Sequence, residues 1–181
     1  MLLSVTGTPG TGKTTLCETL ALEGYDVVRL KNVILENSLH YGYDEAAGSL
    51  EIDVDIVLDH FHRNPVEKDM EKWTIIESHL SHHLEVDGIV LLRCDPRELE
   101  KRLARRDYSP DKIRENAESE LVDVIAVEVK ERNLPSVEID TTGFEKEKIV
   151  SIVKNFIKGF PAISGYNRPC SLNWIGEMYE D

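Results

Sequence analysis

The sequence predicts an α/β fold in which helices cover both faces of a doubly wound parallel sheet. Strand-like apolar runs alternate with helical patterns along the chain, and this alternation is typical of parallel sheets built from βαβ units. Of the 181 residues, 41% are hydrophobic and 30% are charged, as in an ordinary globular protein. This length corresponds to about one domain at the usual ~100–200 residues per domain.

Five short apolar runs are predicted to be strands and five longer segments to be helices. The predicted strands are Leu2–Thr6, Asp26–Leu30, Trp73–Glu77, Gly88–Cys94 and Ser136–Asp140. The predicted helices are Gly12–Leu22, Asp53–Arg63, Pro96–Arg106, Pro110–Arg132 and Phe144–Lys158. Asp95 and Ser109 each precede a proline, which is the pattern of a helix start. Apolar residues recur at every fourth position of Pro110–Arg132, so we expect one long helix with one buried face.

The chain divides into a main domain, residues 1–159, and a carboxyl-terminal tail, residues 160–181. The tail contains Gly, Pro and Asn together with aromatic residues such as Trp174. It is either a frayed end or a docking segment, and we favour the frayed end. Within the domain, Asn32–Glu51 is weakly periodic and contains two glycines, which favours an excursion over the sheet.

The charge balance argues against some partners and favours others. Asp and Glu number 34 against 21 Lys and Arg, which gives a net charge of −13. Such a surface repels nucleic-acid phosphate, so we expect no non-specific nucleic-acid binding, whereas a basic protein is attracted. No apolar run reaches the ~18 residues of a membrane helix, and no signal peptide is expected. The three cysteines fit no disulfide framework, which favours the cytoplasm.

The strongest motif is a phosphate-binding loop. Gly7–Thr14 reads GTPGTGKT and matches G-x-x-x-x-G-K-[ST] between a predicted strand and a predicted helix. Such a loop points backbone N–H groups at an anion at the positive end of a helix. Lys13 would neutralise the β- and γ-phosphates, the Thr14 hydroxyl would ligate Mg²⁺, and Thr15 would reach the α-phosphate. A glycine-rich turn without a ligand is the alternative.

Further residues carry two interpretations each. Arg102, Arg105 and Arg106 cluster at a predicted helix end, where they either surround a phosphoryl group or meet the helix dipole. Arg93, at a strand end, faces the phosphates or forms a structural ion pair. The sequence alone does not choose between these interpretations.

The histidines that follow the third predicted strand are similarly ambiguous. His79 lies two residues after Glu77, where it orients water or caps a helix. His79, His82 and His83 invite a zinc interpretation, but no carboxylate or cysteine completes a recognised ligand spacing.

Four segments together resemble a known family. They are TGTPGTGKTT (Thr6–Thr15), YGYDE (Tyr41–Glu45), ESH (Glu77–His79) and RRDY (Arg105–Tyr108). In order and spacing they resemble the small adenylate-kinase-like NTPases of archaea and eukaryotes, the family of coilin-interacting nuclear ATPase. In eukaryotes these proteins act in late small ribosomal subunit maturation. The resemblance runs from Met1 to about Phe156.

The resemblance implies a P-loop kinase fold with an NMP-binding excursion at about residues 29–52 and a short lid at about 105–115. It implies ATP–Mg²⁺ binding, adenylate kinase or broader NMP kinase activity with AMP as acceptor, slow ATP hydrolysis, and transient binding of a small-subunit ribosomal protein. The implied nucleotide contacts are Gly10, Gly12, Lys13, Thr14, Thr15 and Arg106. The catalytic set is Lys13, Glu77, His79 and Arg106, with Thr14 and Glu77 near the metal.

Two positions depart from the family pattern. The family usually carries Asp-x-His where this chain has Glu77-Ser78-His79, so the carboxylate is one methylene longer. The arginine that grips the acceptor phosphate aligns with Leu35, which cannot neutralise a phosphate. Lys31 or Arg29 is a substitute, although lysine lacks the bidentate fork.

Overall fold

The computed structural model describes residues 1–44, 49–69, 71–106, 108–143, 145–160 and 170–179. Glu45, Asp107 and Phe144, which belong to predicted motifs or helices, lie outside these ranges, as does much of the predicted tail. The strands are β1 (Leu2–Thr6), β2 (Asp26–Arg29), β3 (Gly42–Asp44), β4 (Ser49–Glu51), β5 (Thr74–Glu77), β6 (Gly88–Arg93) and β7 (Ser136–Asp140). The helices are α1 (Lys13–Leu22), α2 (Leu30–Glu36), α3 (Val54–Arg63), α4 (Pro96–Leu103), α5 (Pro110–Leu121), α6 (Val124–Glu131), α7 (Lys146–Gly159) and α8 (Trp174–Tyr179).

Five strands form one parallel sheet in the order β2-β5-β1-β6-β7, which confirms the predicted fold class. The central strand β1 is buried along its whole length. Its neighbours β5 and β6 lie on opposite sides of it, and β1 therefore ends at the point where the strand order reverses. In open α/β sheets, ligands bind in the crevice at this position.

Two apolar cores cover the two faces of the sheet. On one face, α1 and α7 pack through residues such as Leu16 and Phe156. On the other, α2, α3 and α6 pack through residues such as Ile34 and Val129. Layers on both faces hold the strand ends rigidly, which fixes the loops that follow them. No helix in the described ranges combines the length and apolar character needed to span a membrane.

The predicted helix Pro110–Arg132 is wrong as one element, because it is broken between α5 and α6. Asp123 adopts a left-handed conformation at the break, with φ of 60°. Its carboxylate binds the guanidinium of Arg93, which is 1% exposed and also lies 2.6 Å from Glu120 Oε1 and 2.8 Å from Glu138 Oε1. The break therefore serves a buried ion-pair network, and of the two interpretations of Arg93 the structural one holds.

The carboxyl-terminal segment is not frayed where the structure describes it. Trp174 is 3% exposed, and its indole N–H lies 3.4 Å from Glu120 Oε1 while its ring covers the Arg93 guanidinium. The backbone N–H of Ser171 donates to Glu138 at 2.7 Å. The expectation of a frayed end is wrong for this stretch. The apolar ring of Trp174 is buried, and the buried charged groups of the domain bind its one polar N–H and its ring face, which holds the segment against the domain.

The weakly periodic stretch Asn32–Glu51 contains most of α2 and the antiparallel pair β3–β4, which the sequence patterns did not predict. These elements leave the sheet after β2 and return before α3, as an excursion does. Residues 45–48 of this stretch lie outside the described ranges.

Candidate functional site

The loop Gly7–Thr14 joins the end of β1 to the start of α1, and its shape requires glycine. Gly10 and Gly12 have φ of 97° and 102°, in the region that favours glycine. A Cβ atom on Gly10 would lie 2.7 Å from Leu99 Cδ1, so α4 packs directly on the loop. The loop backbone thus reaches the amino end of α1 without an intervening side chain, as an anion site requires.

Lys13 is buried within this loop. Its ammonium donates to the carbonyl oxygens of Gly7 at 2.6 Å and Thr8 at 3.0 Å. Burial lowers the pKa of Lys13 to about 8, although the carboxylates of Glu77 and Glu120 act in the opposite direction. The loop therefore holds a cation that loses its proton more readily than an ordinary lysine.

Thr14 and Glu77 meet at the edge of the loop. The Thr14 hydroxyl donates to Glu77 Oε1 at 2.7 Å. The register of β2 and β5 places Arg29 opposite Glu77, with 3.6 Å between Arg29 Nε and Glu77 Oε2. Two hard oxygen donors side by side match the ligands that Mg²⁺ prefers, and the longer carboxylate of glutamate reaches the hydroxyl. The residues present therefore fit this ion.

His79 lies in the turn after β5 and is exposed. Partial desolvation of the ring, followed by the positive charges of Lys13 and Lys112, lowers the pKa of His79 to about 4. The imidazole is therefore neutral at neutral pH, and one ring nitrogen is available to accept a hydrogen bond from water.

The three predicted cations at the end of α4 separate into different roles. Arg106 is exposed and lies close enough to Lys13 to lower the pKa of that lysine. Arg102 instead donates to the carbonyl oxygens of Thr141 at 2.7 Å and Thr142 at 2.8 Å, so it anchors α4 to the end of β7. Arg105 is exposed. Of the three, only Arg106 is brought to Lys13 by a described interaction.

The structure thus brings Lys13, Thr14, Glu77, His79 and Arg106 to one edge of the sheet. Thr15 is exposed on the first turn of α1. The roles of all these residues in nucleotide binding remain predictions, since they rest on the motif and the geometry.

Sequence reasoning missed Glu120 and Lys112 at this site. Glu120 is 2% exposed and accepts hydrogen bonds from the Thr8 hydroxyl and, at 3.1 Å, from the backbone N–H of Cys94. It therefore links α5 to the phosphate-binding loop. The available signal was a carboxylate at the helical spacing of buried Ala117, on a face expected to be apolar.

Comparisons with known proteins found relatives that match the whole length of the chain. The family model described as "AAA domain" matches residues 4–123. A protein of Thermococcus kodakarensis named "Putative adenylate kinase" is 40% identical over 182 residues, covering 100% of this chain and 96% of that protein. A Pyrococcus abyssi protein of the same name is 38% identical over 183 residues, covering 100% and 94%. A crystal structure described as "a putative kinase from chloroflexus aurantiacus" shares the fold, with a TM-score of 0.53 at 19% identity, covering 87% and 96%.

Proposed function

The chain belongs to the AAA domain family and to the adenylate-kinase-like P-loop NTPases, and from this membership we propose that it transfers the γ-phosphoryl group of ATP to a nucleoside monophosphate. AMP is the proposed first acceptor, and slow hydrolysis of ATP is the side reaction. The observation that carries the proposal is the meeting of Lys13, Thr14 and Glu77 where the strand order reverses.

Each of these residues has a defined task in phosphoryl transfer, which depends mainly on positioning and charge stabilisation. The loop, including Gly10 and Gly12, binds the phosphate chain, and Lys13 turns from its carbonyl partners toward the β- and γ-phosphates. Thr14 and Glu77 would hold Mg²⁺, the glutamate directly or through water. When bound, Mg²⁺ neutralises phosphate charge. Arg106 approaches the transferring group from the lid.

The acceptor side rests on Arg29. This residue lies at the carboxyl end of β2, where the excursion begins, and its guanidinium is held by Glu18 at 3.0 Å and by Glu77. Leu35, on α2, is 45% exposed and offers no charge. We propose that Arg29 supplies the charge that the family obtains from an arginine at the position of Leu35.

Leu35→Arg is expected to raise the rate of transfer to AMP several-fold, because a second guanidinium then reaches the acceptor phosphate. A coupled assay of ADP formation with ATP and AMP measures this rate, and ATP hydrolysis without AMP serves as the internal control. Leu35→Met, which keeps the volume without the charge, is the matched variant. An unchanged AMP-dependent rate would show that other groups organise the acceptor site.

The affinity for ATP is expected to fall as the pH rises above about 8. Phosphate binds the protonated form of Lys13, whose pKa in the free protein is about 8. Below this pH Lys13 is already protonated before ATP binds. Above it, binding is coupled to uptake of a proton, so the Kd for ATP increases by up to about tenfold for each pH unit. Titration calorimetry in buffers of different ionisation enthalpy measures Kd and proton uptake together. A Kd that is constant up to pH ~9, or binding without proton uptake there, contradicts the assignment.

The proposed biological role is late maturation of the small ribosomal subunit through transient binding of a basic small-subunit ribosomal protein in the cytoplasm. The family resemblance and the net charge of −13 support it, since opposite charge speeds protein encounter. The free thiols of Cys17, Cys94 and Cys170 support a reducing compartment.

The second candidate is an ATP-gated binding protein whose hydrolysis is incidental, and the apolar Leu35 favours it.

One experiment separates these functions. ADP production is measured from ATP alone, from ATP with each nucleoside monophosphate, and from ATP with a purified basic small-subunit ribosomal protein. The kinase predicts ADP formation that depends on the monophosphate, and AMP is expected to be the best acceptor. The gated binder predicts nucleotide-dependent capture of the basic protein without such stimulation. Absence of ATP binding altogether would refute both.

A further inference from the structure

Three side chains that can bind metal ions converge outside the residues assigned to ATP. His82 and His83 end the 3₁₀ turn Ser81–His83, and Glu128 lies on α6. Glu128 Oε2 is 3.0 Å from His82 Nε2 and 3.9 Å from His83 Nε2, and the ligand atoms of all three lie within 4.8 Å of one another. His82 is buried, whereas His83 and Glu128 reach solvent.

We propose that His82, His83 and Glu128 bind one borderline-soft divalent cation, with Zn²⁺ as the preferred ion and water as the fourth ligand. Two imidazoles and one carboxylate are a donor set of three-ligand zinc sites. At Zn²⁺ distances of about 2.0–2.2 Å, a tetrahedral shell separates its donor atoms by about 3.3–3.5 Å. The two separations from Glu128, 3.0 Å and 3.9 Å, lie on either side of this value, so modest side-chain rotations complete the shell.

The second ring nitrogen of His82 is already engaged. His82 Nδ1 lies 2.9 Å from the Thr6 hydroxyl, which fixes the ring and turns Nε2 toward Glu128. Metal-binding histidines usually have such an outer partner. Burial, followed by the influence of His83, His79 and Arg132, lowers the pKa of His82 to about 3, so the imidazole is neutral and can coordinate a metal at neutral pH.

The charges around the cluster predict an intermediate affinity for a cation. The carboxylate of Glu128 attracts it. The guanidinium of Arg132, which donates to the carbonyl oxygens of His83 at 3.3 Å and Leu84 at 3.0 Å, opposes it. Those same hydrogen bonds fix the backbone that carries both histidines. Mg²⁺ does not compete here, because it prefers oxygen ligands in an octahedral shell.

A bound ion would connect α6 to the turn after β5 and, through Thr6, to the residue that precedes the phosphate-binding loop. The proposed role of the ion is therefore structural. An ion that binds the folded chain raises its stability, and we expect saturating Zn²⁺ to raise the unfolding midpoint by about 5 °C.

The test is a calorimetric titration of the metal-free full-length chain with Zn²⁺, in millimolar Mg²⁺ and without nucleotide. One site is expected, with affinity reduced at least tenfold in Glu128→Gln and in His83→Ala. Glu128→Gln retains an oxygen that can accept a hydrogen bond from His82, so the fold is preserved. His60→Ala, on α3, is the matched control and is expected to bind like the parent. Co²⁺ is expected to give the intense visible bands of a four-coordinate complex.

Several results would overturn the proposal. They are absence of a single Zn²⁺ site, equal affinity in the parent and both variants, a six-coordinate Co²⁺ spectrum, or an affinity loss in Glu77→Gln instead of Glu128→Gln. Because no nucleotide is present, these outcomes are independent of the proposed kinase activity.

Discussion

Lys13→Ala is expected to lower phosphoryl transfer by about 10³-fold, because it removes a cation from the transferring phosphoryl group in a site where charge stabilisation dominates. ATP affinity is expected to fall at least tenfold. The ammonium is buried and contacts only loop carbonyl oxygens among its described hydrogen bonds. The change therefore removes charge from the loop without removing an element of the core.

The measurements are ATP affinity by calorimetry and the initial rate of ADP formation. Lys101→Ala, an exposed lysine on α4, is the matched control and is expected to leave both unchanged. The thermal midpoint of Lys13→Ala is expected to stay near that of the parent, since two carbonyl oxygens regain access to water. Unchanged ATP affinity would count decisively against a phosphate site in this loop.

The features that sequence patterns predicted correctly are local ones. β1 and β7 have the predicted bounds, and the other three sheet strands differ by one residue at an end. A buried parallel strand carries its signal within a few apolar residues, and the glycines of Gly7–Thr14 are required by the turn itself. The family resemblance, and not a local pattern, assigned Thr14 and Glu77 to the same metal; the structure brings their side chains together, because β1 and β5 are neighbouring parallel strands.

The features that the sequence did not reveal depend on contacts between distant residues. The left-handed conformation of Asp123 is stabilised by its hydrogen bond with Arg93. The helical periodicity of the sequence gives no sign of that partner. Trp174 is buried against Glu120, although its surroundings in sequence are rich in helix breakers. Glu128 meets His82 across 46 residues, so a search for ligand spacing near the histidines does not find it.

The second large effect is expected for His79→Ala, which we predict to slow ATP hydrolysis by about 10²-fold while changing the Kd for ATP less than about threefold. The imidazole is neutral at neutral pH. It lies close enough to Lys13 for the charge of the ammonium to lower the pKa of His79, and in this position it can orient the attacking water. In the parent, hydrolysis is expected to decline as the pH falls toward about 4, because the protonated ring no longer accepts a hydrogen bond. The variant loses this part of the pH profile.

The variant Glu77→Gln distinguishes the role of Glu77 from that of His79. If Glu77 holds the metal, Glu77→Gln raises the Mg²⁺ concentration needed for half-maximal rate, whereas His79→Ala leaves that concentration unchanged. His62→Ala, an exposed histidine on α3, controls for general effects of histidine removal. Equal hydrolysis rates in His79→Ala and the parent would remove the water-positioning role. A shifted Mg²⁺ requirement in His79→Ala would instead assign that histidine to the metal site, because only a residue that supports the ion changes the concentration at which the ion acts.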